Sequence, residues 1–118
     1  MLITPEQAQI AVPRLLAQQA ALSNVEQRWQ LLGAAHVAGQ YVFRLHWLTH
    51  VAMWRCAASH GDCREVAGQT MRLALTLLGH LTQRLPHGNP GRATVNAFQP
   101  MAVTPETRRL IFEALQAI

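Results

Sequence analysis

Three histidines occupy positions where a helix would normally carry apolar side chains. They are His36, His46 and His50, in the stretch AHVAGQYVFRLHWLTH. Neutral imidazole is a ligand of zinc, copper, nickel and iron, and three of them leave one coordination position open in a catalytic zinc site. The residue types therefore point to a transition-metal site, provided that the fold brings the three rings together.

Two of these histidines share one face of a predicted helix. His46 and His50 are four residues apart, so one lies a turn above the other. On a helical wheel Arg44 and Arg55 mark the solvent side, and both histidines lie opposite them, with Met53. We therefore expect both imidazoles to point into the protein.

The third histidine belongs to the preceding helix. Val25, Trp29, Leu32 and His36 follow one another in steps of four, three and four, which is the period of an apolar helical stripe. Gly39-Gln40 is the turn between the two helices. An antiparallel hairpin with this turn brings His36 to the level of His46.

Two interpretations of the histidines follow. In the first, the protein binds a metal ion (zinc, copper or another transition metal) or a small polar ligand through His36, His46 and His50, with Gln40 or Glu65 orienting the rings. In the second, the histidines only pack and form hydrogen bonds inside a helical interaction module, tetratricopeptide-like or dimeric. No evident general acid or base accompanies the three histidines, and Trp47 stands where a zinc peptidase would have Glu. The sequence therefore favours binding over catalysis.

Helix start and stop signals predict the elements that position these residues. Capping signals at Thr4, Ser23-Asn24, Asp62 and Thr104 start helices, and Gly39 and Gly61 stop them. The predicted helices are 5–21, 24–37, 41–59, 63–84 and 105–117, the first shortened or kinked at Pro13. We expect an all-α fold: one domain over residues 1–118, a compact bundle of four to five helices built from antiparallel hairpins. A long ordered loop, Leu85 to Met101, is expected to pack across the central hairpin before the last helix.

The fourth predicted helix has one polar and one apolar face. The polar residues are Glu65, Gln69, Arg72, Thr76 and Gln83, and the apolar ones are Ala67, Met71, Ala74, Leu78 and Leu81. The simplest interpretation turns the polar stripe to solvent and the apolar face to the core. The alternative is that Glu65 and Arg72 face the long loop.

A second group of metal-ligating residue types is Cys56, His60 and Cys63. Their spacing would suit one helical face and a soft metal. However, Gly61 and Asp62 should end the helix before Cys63 is reached. We therefore expect a buried Cys56 and an exposed His60 without a shared ion.

Composition limits the class of partner. The formal net charge is +4, but all ten basic residues are arginines scattered along the chain, whereas a nucleic-acid-binding protein concentrates such charge on one face. The first ten residues do not resemble a signal peptide, and no uncharged stretch is long and apolar enough for a membrane span. We expect a cytoplasmic protein without nucleic-acid or membrane partners, and a homodimer or another protein partner stays open.

The order of the short motifs resembles a known family. The motifs are Ala35-His36, Gly39-Gln40, His46, His50, Arg64-Glu65-Val66, Gly68-Gln69, Arg72, Gly88-Asn89, Gly91, Val95 and Pro100-Met101. From about Trp29 to Pro105 the chain resembles the small bacterial proteins of domain-of-unknown-function family 3703. The resemblance implies a single helical domain without an established activity. The residues that match the family pattern by position are His36, Gln40, His46, His50, Glu65, Gln69, Asn89 and Gly91. Pro90 departs from the pattern, because the family usually has Thr after the Asn.

Overall fold

The computed structural model describes residues 2–83, 90–92 and 102–117, and these contain five α-helices and no strand. The helices are α1 (Pro5–Ala20), α2 (Val25–Gly39), α3 (Phe43–Ser59), α4 (Cys63–Thr82) and α5 (Pro105–Gln116). The all-α class is confirmed, and each predicted boundary lies within about two residues of the observed one. Pro13 lies inside α1 and does not shorten it. No helix among the described residues is both long and apolar enough to cross a membrane.

Side chains cap the helices that the sequence signals begin. The Thr4 hydroxyl accepts a hydrogen bond from the backbone N–H of Gln7, and the Gln7 side chain accepts one from the Thr4 N–H, so the predicted capping box is present. Asp62 and Thr104 cap α4 and α5 in the same way. The cap of α2 is Asn24 rather than Ser23, because the Asn24 carboxamide oxygen accepts from the N–H three residues later.

The first four helices run antiparallel in consecutive pairs, as predicted, whereas α5 packs against α1 and α2. The end of α1 contacts the start of α2 through Gln19, which accepts a hydrogen bond from Arg28 at 3.1 Å. Trp54, late in α3, donates to Thr70, early in α4, at 3.1 Å. The short turns between these helices leave each one beside its predecessor.

The apolar core lies between α1, α2 and α5. Its largest members include Val12, Leu15, Leu31, Leu45 and Ile111, all buried. The second half of α2 is the centre of the protein, since every residue from Leu31 to Gly39 is buried. A second, smaller cluster around Trp29, Leu32 and Met53 joins α2 to α3. His36 therefore projects from a helix that is enclosed on all sides.

The predicted orientation of α4 is wrong. Its buried residues are all polar: Glu65, Gln69, Arg72 and Thr76. Its apolar face is exposed, and of the predicted polar stripe only Gln83 faces solvent. Among the helices α4 packs against α3 alone, so its polar stripe is turned to the histidines of α3 instead of to water.

The predicted loop from Leu85 to Met101 lies mostly outside the described residues, as do Asn89, Val95 and Pro100-Met101. Three of its residues are described: Pro90, Gly91 and Arg92. These three pack against α2 and α4.

Candidate metal centre

The three predicted histidines meet inside the bundle. His46 Nε2 lies 3.0 Å from His36 Nε2 and 3.2 Å from His50 Nε2. All three side chains are buried, and they form the one group of three potential metal-ligating residues within the described part of the chain. The hairpin and the four-residue spacing thus bring together three imidazole nitrogens of the same kind.

The surroundings keep two of these rings neutral. Burial, together with the nearby His50 and His80, lowers the pKa of His46 to about 2. Burial likewise lowers the pKa of His50 to about 4. Its hydrogen bond to Gln69 opposes this lowering, and the Arg72 charge adds to it. At neutral pH each ring has one nitrogen with a lone pair, which is the form that binds a metal.

Gln69 determines which nitrogen of His50 carries the proton. The Gln69 amide nitrogen donates to Glu65 Oε2 at 2.9 Å and to the Gly91 carbonyl at 3.0 Å, so its oxygen faces the ring. That oxygen accepts from His50 Nδ1 at 2.7 Å. The His50 proton is therefore on Nδ1, and its Nε2 lone pair points at the other two histidines.

Glu65 stands behind Gln69 and is almost fully buried. Its Oε1 atom is 3.3 Å from the guanidinium of Arg92, which also lies 4.6 Å above the centroid of the Trp29 ring. The carboxylate therefore has an ionic partner as well as the Gln69 amide. The expectation that Glu65 helps to orient the rings fits this chain of contacts, which runs from Glu65 through Gln69 to His50.

Gly91 lies directly on the His36 ring. Its φ is +80°, which disfavours any side chain, and a β-carbon there would come within 2.7 Å of His36 Nε2. The segment at Pro90 also reaches α2, since a β-carbon on Gly33 would be 3.4 Å from the Pro90 side chain. The described part of the loop thus lies against His36 and α2, and only glycine fits at position 91.

Gln40 contacts the site differently from the expectation. Its side chain is buried, but neither its amide nitrogen nor its oxygen has a hydrogen-bond partner among the described residues. Its backbone instead forms a hydrogen bond with His80. Gln40 therefore reaches the histidines through the main chain and His80.

His80 is a fourth histidine that the sequence analysis missed. Its Nε2 is 2.9 Å from His46 Nδ1, the nitrogen on the far side of the ring from His36 and His50. Its partial burial lowers its pKa, opposed by the Gln40 hydrogen bond. His80 thus orients His46 as Gln69 orients His50. On a helical wheel of α4, His80 lies beside the buried stripe. This position is the feature of the sequence that could have indicated its role.

Cys56, His60 and Cys63 do not form a site, in agreement with the sequence prediction. Cys56 is buried, whereas His60 and Cys63 are exposed. His60 Nδ1 lies 2.8 Å from the Cys56 carbonyl oxygen and 3.8 Å from the Cys56 sulfur, and Cys63 does not join them. The turn at Gly61 separates Cys63 from the other two, as expected.

Comparison with known proteins places the chain in a family. Residues 7–111 match the family described as "Protein of unknown function (DUF3703)". The chain belongs to this family. The match to DUF3703 covers every residue of the histidine site, from His36 to Arg92, and confirms the resemblance found in the motifs. No curated protein and no solved structure matches the chain.

Proposed function

We propose that this DUF3703 protein binds one transition-metal ion through the Nε2 atoms of His36, His46 and His50. The observation that carries the proposal is that three buried imidazoles place one nitrogen each within 4.8 Å of the other two. Two nitrogens bound to the same tetrahedral zinc at about 2.0–2.1 Å would be about 3.3–3.4 Å apart. The observed separations of 3.0 and 3.2 Å differ from this by a few tenths of an ångström.

Hydrogen bonding alone satisfies this arrangement poorly. His50 Nε2 presents a lone pair, because its proton is held by Gln69 on the opposite nitrogen. A proton on His46 Nε2 can bridge to His36 or to His50, but not to both. A metal ion between the three nitrogens would accept all the lone pairs at once, which favours metal binding over purely structural histidines.

The donor set indicates the class of ion. Three neutral imidazoles without thiolate or carboxylate ligands suit zinc, copper, nickel or iron better than calcium or magnesium. Glu65 supplies one negative charge near the site, and it is shared with the guanidinium of Arg92. Three protein ligands leave a position of a four-coordinate ion for an exogenous ligand, and the proposal extends to binding, not to a reaction.

The direct test is metal analysis of protein purified without chelators, followed by titration with Zn²⁺, Cu⁺, Ni²⁺ and Co²⁺. We expect about one ion per chain, and an increase in Tm with added metal because ligands of the native state stabilise it. Cobalt should give the visible absorption of a tetrahedral nitrogen site. Metal-free protein whose Tm responds to none of these ions would refute the proposal.

Three variants locate the ion. His46→Ala should abolish stoichiometric binding, and Gln69→Leu, which keeps all three ligands, should weaken it by about 10–100-fold. The matched control is His60→Ala, also a histidine of the α3 end but exposed and outside the site. Circular dichroism establishes folding, and Gln69→Leu keeps the test decisive if His46→Ala does not fold. Equal loss in His60→Ala and Gln69→Leu would place the ion elsewhere.

A further inference from the structure

The apolar face of α4 has no partner among the described residues. Its members are Ala67, Met71, Ala74, Leu78 and Leu81, all exposed. The three large residues of this row, Met71, Leu78 and Leu81, are 64%, 54% and 73% exposed. Single exposed apolar residues are ordinary, but a row of five on one helix marks an interaction surface.

The spacing of this row specifies a helix as the occupant. The steps from Ala67 to Leu81 are four, three, four and three, which is the alternation of a heptad seam. Such a seam inserts its side chains between those of a facing helix. The opposite side of α4 is already used, because Gln69 and Arg72 face the histidines. A partner helix can therefore approach α4 only from outside.

We propose that this face pairs with the same face of a second copy, with the two α4 helices antiparallel. The seam is self-complementary in that arrangement when the pair is centred between residues 72 and 73. The facing pairs are then Met71 with Ala74, Ala67 with Leu78, and Arg64 with Leu81. In each of the first two pairs a large side chain meets an alanine, so the same small–large match is made twice by the two-fold symmetry.

Charge complementarity supports the antiparallel direction. Arg64 is an exposed cation at the start of α4 and lies on the same seam. In an antiparallel pair its guanidinium reaches the last turn of the second α4, where backbone carbonyls carry partial negative charge. A parallel pair would instead place the two Arg64 side chains together. Between Arg64 and the helix end at Thr82 the seam carries no other charge.

Other exposed apolar side chains lie on α4 and on α3, the helix that packs against it. Phe43 and Trp47 on α3 form a ring pair with centroids 6.0 Å apart, and both are partly exposed. Leu77 on α4 is also exposed. Aromatic side chains are enriched in protein–protein contacts. These residues enlarge the apolar surface beyond one helix, toward the area that a specific dimer buries.

Oligomeric state tests the proposal. Light scattering over a wide concentration range, with chelator present so that no metal bridges two chains, should give twice the chain mass of 13.1 kDa. Leu78→Glu should raise the dimer dissociation constant at least about 100-fold, since two unpaired charges would be buried. Ile10→Glu, which changes an exposed residue of α1 in the same way, should leave it unchanged.

Cysteine pairing tests the direction of the helices in a Cys63→Ser background. Mixing Met71→Cys with Ala74→Cys should give a disulfide-linked dimer, because these positions face each other, and either variant alone should give less. Stronger cross-linking of Ala74→Cys with itself than with Met71→Cys would indicate a parallel pair and contradict the proposed register. A monomer at all concentrations, or equal weakening by Ile10→Glu and Leu78→Glu, would overturn the dimer altogether.

Discussion

The two halves of this small bundle are stabilised in opposite ways. Between α1, α2 and α5 the interior is apolar, with Leu15, Leu31 and Ile111 at its centre. Between α3 and α4, where His36 of α2 also projects, it is polar, with three histidines, Gln69 and Glu65 buried. The first half obeys the usual rule that apolar side chains face inward. The second half departs from it, and it is the half where the candidate site lies.

The departure has a local cause. Two buried polar side chains of α4 have specified partners: Gln69 contacts His50, Glu65 and the Gly91 carbonyl, and Glu65 also contacts Arg92. A polar stripe can be buried without a large loss of stability when its groups are hydrogen-bonded. The contacts of the polar side chains with the histidines, and not the apolar pattern, therefore determine which face of α4 is turned inward.

The largest expected effect concerns the apolar half. Leu15→Ala should lower the free energy of unfolding by about 2–5 kcal/mol, because Leu15 is fully buried and its loss leaves a cavity. If the two halves are stabilised separately, the loss should be the same at pH 7 with and without zinc. Chemical denaturation monitored by circular dichroism measures it. A loss that disappears when zinc is present would show that the halves are coupled.

The sequence predicted the histidines because helical period and one turn suffice to place them. His46 and His50 lie on one face whatever the tertiary structure, and the Gly39 turn returns α2 to α3. The orientation of α4 could not be predicted in the same way. A helical period defines two faces of α4 but not which of them is inside. The sequence alone turns Gln69 to solvent, because its partner Gly91 is distant in sequence. Their contact depends on the path of the chain after α4.

The second expected effect concerns the polar half and its pH dependence. Burial holds the pKa of His50 at about 4 and of His46 at about 2, below the ordinary value of 6.5. Below pH 6.5 these two histidines therefore bind protons in the unfolded chain but not in the native state, so stability falls as pH falls. The slope should reach about 1.4 kcal/mol per pH unit for each of the two rings.

Urea denaturation of metal-free protein between pH 7 and pH 5 measures this slope, and His50→Gln should reduce it by about half. Leu15→Ala, in the apolar half, should lower stability at every pH without changing the slope. A flat stability profile from pH 7 to pH 5 would contradict the assignment of His46 and His50 as neutral buried groups.

The smallest expected effect concerns the outer face of α4. Leu81 is 73% exposed in the single chain, so Leu81→Gln should change the stability of the dilute monomer by no more than about 0.5 kcal/mol. In a usual helix, replacing a leucine of the apolar face by glutamine costs several times more, because that face is buried. At concentrations where the dimer forms, the same substitution should lower the Tm because the leucine is then covered. A loss of unfolding free energy above about 2 kcal/mol that does not depend on concentration would mean that Leu81 packs within its own chain. The apolar face of α4 would then be turned inward in solution.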